Sequence, residues 1–240
     1  MSKINYFLIV FLFALSACTK EIGNTNTNLA VSTQPIPVPA NAFGQLTAVN
    51  NSVYTHTGTP PDSLIMREAL TLFKDTAYIY GGVVTAGNDT LVYDTAYAYN
   101  GYLSDKYFQT FSSNVTWSVS GNSGRGLNGF TYTDNTPFPT ISGLKIPATI
   151  QAAKGLTLNY TISGAYDFFY FQLTGSVTGL PLSANSNTTA SFSTDQINAA
   201  AATGQLIVRA QIGKVTPYTI GGKTFYFVKT TQVDLYTTVK

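Results

Sequence analysis

Residues 205–228 read QLIVRAQIGKVTPYTIGGKTFYFV, and they decide the fold class. Leu206, Val208, Ala210 and Ile212 alternate with Ile207, Arg209 and Gln211. A period of two puts one face of an extended strand into a core. Gly221-Gly222 then separates residues 218–220 from 224–228. Two glycines between apolar runs supply the two positive φ angles of a type I′ hairpin turn. Beyond the turn, Phe225, Phe227, Val233, Leu235 and Val239 share one parity, and so does Lys229. A lysine on a buried face predicts a bulge or turn near Lys229-Thr230 that moves the ammonium aside.

Other stretches repeat this pattern. Val115, Trp117 and Val119 alternate with polar residues, as do Leu156, Leu158, Tyr160 and Ile162. Trp117 therefore reads as a core side chain. Residues 168–173 are apolar on both faces and fit a strand covered on both sides. Two short helices are indicated. Ser193 with Gln196 forms a capping box before Ile197, and Gly204 offers a stop. Ile65, Ala69, Leu72 and Phe73 form a helical stripe after Pro60-Pro61, although the same residues also read as a strand. Turn-separated strands predict an all-β, antiparallel β-sandwich fold with one or two short helices. Residues 46–240 are long for one sandwich of about 100 residues. The expected division is a β-rich domain over 46–143 and an Ig-like domain over 144–240. The strand rhythm of the second resembles bacterial Ig-like domains, so the resemblance implies two such sandwiches in tandem.

Composition narrows the function. The chain has 240 residues, of which 44% are hydrophobic, 13% aromatic and 10% charged. Abundant aromatics with sparse charge exclude a disordered chain. A net charge of +2 without a basic cluster argues against nucleic acid as a partner. One Cys and one His exclude a disulfide framework and Cys- or His-cluster metal sites. No cofactor, metal or catalytic residue is expected.

The N-terminus supplies an address. Lys3 precedes the apolar run 6–14, too short to span a bilayer but suited to a signal peptide over residues 1–17. It ends in Leu15-Ser16-Ala17-Cys18, which resembles the lipobox of bacterial lipoproteins. The resemblance implies cleavage before Cys18, lipidation of its thiol and a membrane partner engaged through acyl chains. Thr19 is not the Asp that retains many such proteins in the inner membrane, so an outer-membrane location is implied. Residues 18–45 then form a linker. Pro35, Pro37 and Pro39 alternate with Ile36 and Val38 and favour an extended course; the same residues could form an edge strand.

Several short motifs lack their context. Gly124–Gly129 spells G-x-G-x-x-G, but the next residues read as a strand, so a turn between strands is the better reading. Ser142-Gly143-Leu144-Lys145 matches S-x-x-K without the companion motifs. His56 has no G-x-S-x-G partner and reads as a surface side chain. Tyr78 with Tyr80, and Tyr93 with Tyr97 and Tyr99, share strand parity, which suits core filling or an exposed platform for sugar or protein. One pattern recurs: Asp62-Ser63-Leu64, Asp75-Thr76-Ala77, Asp89-Thr90-Leu91 and Asp94-Thr95-Ala96. These resemble the O-glycosylation sequon of Bacteroidota, which implies sugar on Ser63, Thr76, Thr90 or Thr95. The expected function is an outer-membrane lipoprotein acting as a non-catalytic binding or adhesion module for an envelope protein or glycan. A hydrolase using dispersed carboxylates and a structural subunit of a surface assembly are the alternatives.

Overall fold

The computed structural model describes residues 38–39, 41–55, 62–94, 101–174, 179–183, 188–201 and 204–240. The first half contributes β1 (Gly44–Thr55), β2 (Asp62–Phe73), β3 (Val84–Ala86), β4 (Asp89–Thr90) and β5 (Val92–Asp94). It continues with β6 (Gly101–Tyr107), β7 (Val115–Val119), β8 (Phe130–Asp134) and β9 (Thr140–Ser142). The second half adds β10 (Thr149–Ile150), β11 (Leu156–Asn159), β12 (Thr161–Ser163), β13 (Phe168–Thr174), β14 (Gly179–Ser183) and β15 (Thr189–Phe192). The helix α1 (Thr194–Ala200) precedes the final strands β16 (Gln205–Ile220) and β17 (Lys223–Val239). The fold is all-β and sandwich-like. A nine-stranded sheet of order β14-β13-β16-β17-β1-β2-β6-β5, with β10 also on β17, lies beneath the smaller sheets β4-β3-β7-β8, β11-β15 and β12-β9.

The β16–β17 hairpin is the spine. Its antiparallel register runs unbroken from Gln205 opposite Thr238 to Ile220 opposite Lys223. Gly221 and Gly222 turn it with φ of 57° and 77°, which a side chain at either position would oppose. The expected bulge at Lys229-Thr230 is absent, because Lys229 finds partners without leaving the buried face. Its ammonium donates to the carbonyls of Ser113 (2.5 Å), Asp134 (2.8 Å) and Thr136 (2.5 Å). The Asp134 carboxylate lies 3.5 Å away, and the Phe138 ring centroid 5.3 Å. Burial lowers the Lys229 pKa, and Asp134 opposes that effect.

The sheet does not divide at residue 143. β1 pairs in parallel with β17, from Gly44 opposite Phe225 to Tyr54 opposite Leu235. Parallel neighbours need a long crossover, and here nearly the whole chain is that crossover. Strands from 46–143 and 144–240 thus share one hydrogen-bonded sheet rather than forming two free-standing sandwiches. Two hydrophobic clusters survive on its inner face. One gathers Leu46, Phe73, Trp117, Leu127, Phe225 and Phe227 under the four-stranded sheet. The other gathers Leu158, Phe171, Leu173, Ile197, Val208 and Leu235 under α1 and β11–β15. The connecting segment crosses the sheet between them. Beyond Lys229, Thr231 donates to the Pro139 carbonyl and Thr237 to that of Pro147, so β17 pins the segment in place.

Other expectations meet mixed results. Ser193 accepts from the Gln196 amide, and the Gln196 side chain accepts from the Ser193 amide, closing the capping box of α1. Trp117 is buried. The glycine-rich stretch forms a 3-10 turn at Ser123–Arg125 between β7 and β8. The Ile65–Phe73 stripe is strand β2, not a helix. Ala69 and Phe73 point into the inner core while Glu68 is buried on the opposite face. Burial on both faces removes the alternation that marks a strand and leaves a coincidental four-residue spacing.

Candidate functional site

Two features stand out on the large sheet, and both follow from its register. The first is a polar seam on the outer face, opposite the hydrophobic clusters. Adjacent residues on this face are Tyr170, Gln211, Gln232 and Asn51 in one row. Gln172, Arg209 and Asp234 form the next. Thr230, Val49, Glu68 and Asp105 form a third. Thr230, Asn51, Gln211, Gln232, Asp234, Glu68, Gln172 and Arg209 are all buried. Arg209 makes two bonds to the Asp234 carboxylate, at 2.7 and 2.9 Å. The Gln232 amide donates to the same carboxylate at 3.2 Å. Asn51 donates to Glu68 at 3.1 Å, and the Tyr170 hydroxyl donates to Gln211.

The electrostatics follow from burial. Desolvation pushes the Glu68 carboxyl from 4.5 up to about 7; the Asn51 hydrogen bond opposes the rise and nearby Asp105 adds to it. Burial also raises Asp105, against the pull of Lys106. Burial alone would lower Arg209, but Asp234 holds its pKa above the ordinary value. An ion pair with satisfied hydrogen bonds can be sheltered from water; an unpartnered polar atom there costs about 1–3 kcal/mol. Among the described residues, four buried side-chain atoms have no hydrogen-bond partner: Asn51 Oδ1, Asp105 Oδ1 and Thr230 Oγ1 on this face, and Thr71 Oγ1 on the inner one.

The second feature is an apolar end formed where β1, β2 and β6 meet. Phe108, just past β6, is 81% exposed with φ of 59°. Its amide donates to the Ile65 carbonyl at 2.6 Å. That conformation costs an L-residue on the order of 1–2 kcal/mol. Ile65 and Tyr54 are exposed beside it, and Tyr107, opposite Met66 and of the same parity as Asp105, is exposed on the outer face. Ile65 and Tyr54 lie on the inner-face side of the sheet, beyond the cover of the smaller sheets.

The structure separates the residues picked out in sequence. Cys18, His56, Thr95, Tyr97 and Tyr99 lie outside the described residues. Ser63 lies in β2 opposite Tyr54, its side chain not described. Thr76 and Thr90 are exposed, Thr76 at a bend and Thr90 in β4. Asp89, which precedes Thr90, is buried and pairs with Arg67 at 2.7 and 2.8 Å; it ties the four-stranded sheet to β2. Tyr80 and Tyr93 pack on Tyr102, whose hydroxyl bonds Gly81 and Gly82. That leaves Tyr80 half exposed. Sequence reading missed the outer seam, because Arg209, Gln211, Gln232 and Asp234 looked like the solvent side of their strands. It missed Phe108, whose positive φ has no sequence signal. Among the described residues no group of three His, Cys, Asp or Glu is placed to hold a metal, and no helix is long and apolar enough to cross a membrane. Comparison with protein-family models, curated proteins and solved structures finds no match to this chain.

Proposed function

We propose that this chain is an outer-membrane lipoprotein whose β-body binds a protein partner in the cell envelope without chemical turnover. The observation that carries binding is the apolar end made by Tyr54, Ile65 and Phe108. A fold with a backbone strained to present Phe108 to solvent supports selection for contact rather than for stability. An aliphatic Ile beside two kinds of ring favours a protein surface over a sugar, which stacks on flat aromatics and needs polar neighbours. Leu15-Ser16-Ala17-Cys18 supports anchoring through Cys18, with the acyl chains as the membrane contact.

The test compares the acyl-free body with a Phe108→Ser, Ile65→Ser double variant. Both are immobilised and exposed to solubilised envelope proteins and to a glycan panel. The reading expects a defined envelope protein retained by the native body and lost with the double variant. Retention unchanged by the variant, or retention of glycans alone, would contradict it.

A second reading, hydrolysis by carboxyl groups, rests on Glu68. A carboxyl held near 7 is suited to general acid work, and Asp105 lies opposite it across the strands. Glu68 is only 3% exposed, so a substrate would need the outer face uncovered. Release of products from polysaccharide, peptidoglycan or peptide, abolished by Glu68→Gln, would favour this reading over binding.

A further inference from the structure

β16 outruns its neighbour. It reaches Ile220, but β13 pairs with it only from Ile207 to Gly213. Among the described residues, no strand lies against β16 beyond Gly213 on that side. The hairpin register says which backbone groups are left there. Ile220 and Lys223 flank the two-residue turn, and the pair flanking such a turn exchanges both hydrogen bonds. Even-numbered residues of β16 therefore bond β17, and odd-numbered ones face away. Two contacts agree. The Gly213 carbonyl accepts from the Asp167 amide at 2.8 Å, and the Val215 amide donates to Asp167 Oδ2 at 2.6 Å. The free edge is thus Val215, Pro217 and Thr219. Residues 214–220 read KVTPYTI, rich in β-branched and aromatic side chains with a single charge. Pro217, Tyr218 and Thr219 are exposed. An edge of this composition is a template for a further strand.

We propose that Asp167 and Pro217 together close this edge to a second copy of the chain. Asp167 stands at the head of β13, where the ladder stops, and its carboxylate takes the place of a neighbouring strand's carbonyl. Oδ2 holds the Val215 amide, and Oδ1 accepts from the Lys214 ammonium at 2.8 Å. Burial would raise the Asp167 pKa, but these bonds hold it below the ordinary value, so the cap is charged at neutral pH. Pro217 has no amide hydrogen, and a strand tolerates proline where that side faces solvent. Only Thr219 still has an amide to donate. Two copies of one edge pair antiparallel about a two-fold axis. An axis centred on position 217 sets Val215 of each copy opposite Thr219 of the other. The Thr219 amides then find carbonyls, but the carbonyls that face Val215 and Pro217 find no donor. A slip of two residues sets Pro217 against Val215 and gains no donor either. The ladder is broken at its centre, and the unmatched carbonyls oppose association. The refusal is local. β17 and β1 separate this edge from β2 and the Phe108 end, so binding at that end is unaffected. It bears on the alternative of a surface assembly, because copies do not join by extending the large sheet through β16.

Sedimentation velocity over a range of concentrations tests it in the mature chain with Cys18→Ser. Asp167→Ala with Pro217→Val opens the edge, freeing one amide and supplying another. Pro217→Val alone is the milder form, used if far-UV circular dichroism shows that the double variant does not fold. Asp167→Asn keeps an acceptor for the Val215 amide and serves as the conservative control. Adding Thr219→Pro to the opened protein closes the edge again. The Asp167→Asn chain is expected to size like the native one. The opened protein should self-associate at least about tenfold more tightly, and Thr219→Pro should reverse that gain. An opened protein that sizes like the native chain, a gain that survives Thr219→Pro, or native self-association that Thr219→Pro relieves would each overturn the proposal.

Discussion

Lys229 shows how a charge can occupy a core when the backbone supplies its partners. Three carbonyl oxygens, a carboxylate and a ring face surround the ammonium. Lys229→Met keeps the bulk and removes the donors. Carbonyls left without a donor in a buried junction should cost about 3–5 kcal/mol, read as a fall in urea stability. A loss under about 1 kcal/mol would mean that water takes over the carbonyls. Glu68 predicts the pH response. Its folded pKa of about 7 exceeds the ordinary value of 4.5. The folded state therefore binds the extra proton between these values, and stability falls as pH rises through that window. The full effect is on the order of 3 kcal/mol. Glu68→Gln should flatten the stability profile between pH 4.5 and 7 and raise stability at pH 8. A profile unchanged by the substitution would place the carboxyl in water.

Among the elements, the β16–β17 hairpin does most to organise the molecule. Gly213, opposite Phe168 on its outer face, has a role that packing explains. A Cβ there would lie 2.2 Å from the tip of the Phe168 ring, so the ring rests on bare backbone. Gly213→Val should push the ring from the cluster that receives Val38 and cost about 1–3 kcal/mol. Urea unfolding gives the cost, and faster proteolysis near Val38 reports the loosened contact. The hairpin was legible in sequence because its turn needs two positive φ angles and its inner face keeps a period of two. α1 was legible because Ser193 and Gln196 satisfy each other's backbone locally. β2 was not, since Glu68 and Ala69 are both buried and the period disappears. The bulge assigned to Lys229 failed for a related reason. Its partners come from residues about 90 or more positions away, and no local pattern announces them.

For the whole molecule, parallel pairing of the first and last strands is the decisive contact. It explains why a split at residue 143, suggested by the length of the chain, is not a split of the sheet: each half has its own hydrophobic cluster, but both rest on one set of strands. Unfolding in urea should therefore be a single cooperative transition, with a slope set by the surface of the whole body. Two separated transitions would mean that the halves fold independently. The seam and the Phe108 end became visible only once strand register had placed distant residues side by side. The functional account requires that this body hang from a membrane by Cys18. The direct measurement is the intact mass of the protein isolated from envelopes of its native host. The mass expected is that of residues 18–240 plus a diacylglyceryl group on Cys18, with any hexose increments mapping to Ser63, Thr76, Thr90 or Thr95. A chain that retains residues 1–17, or begins elsewhere with an unmodified thiol, would contradict it.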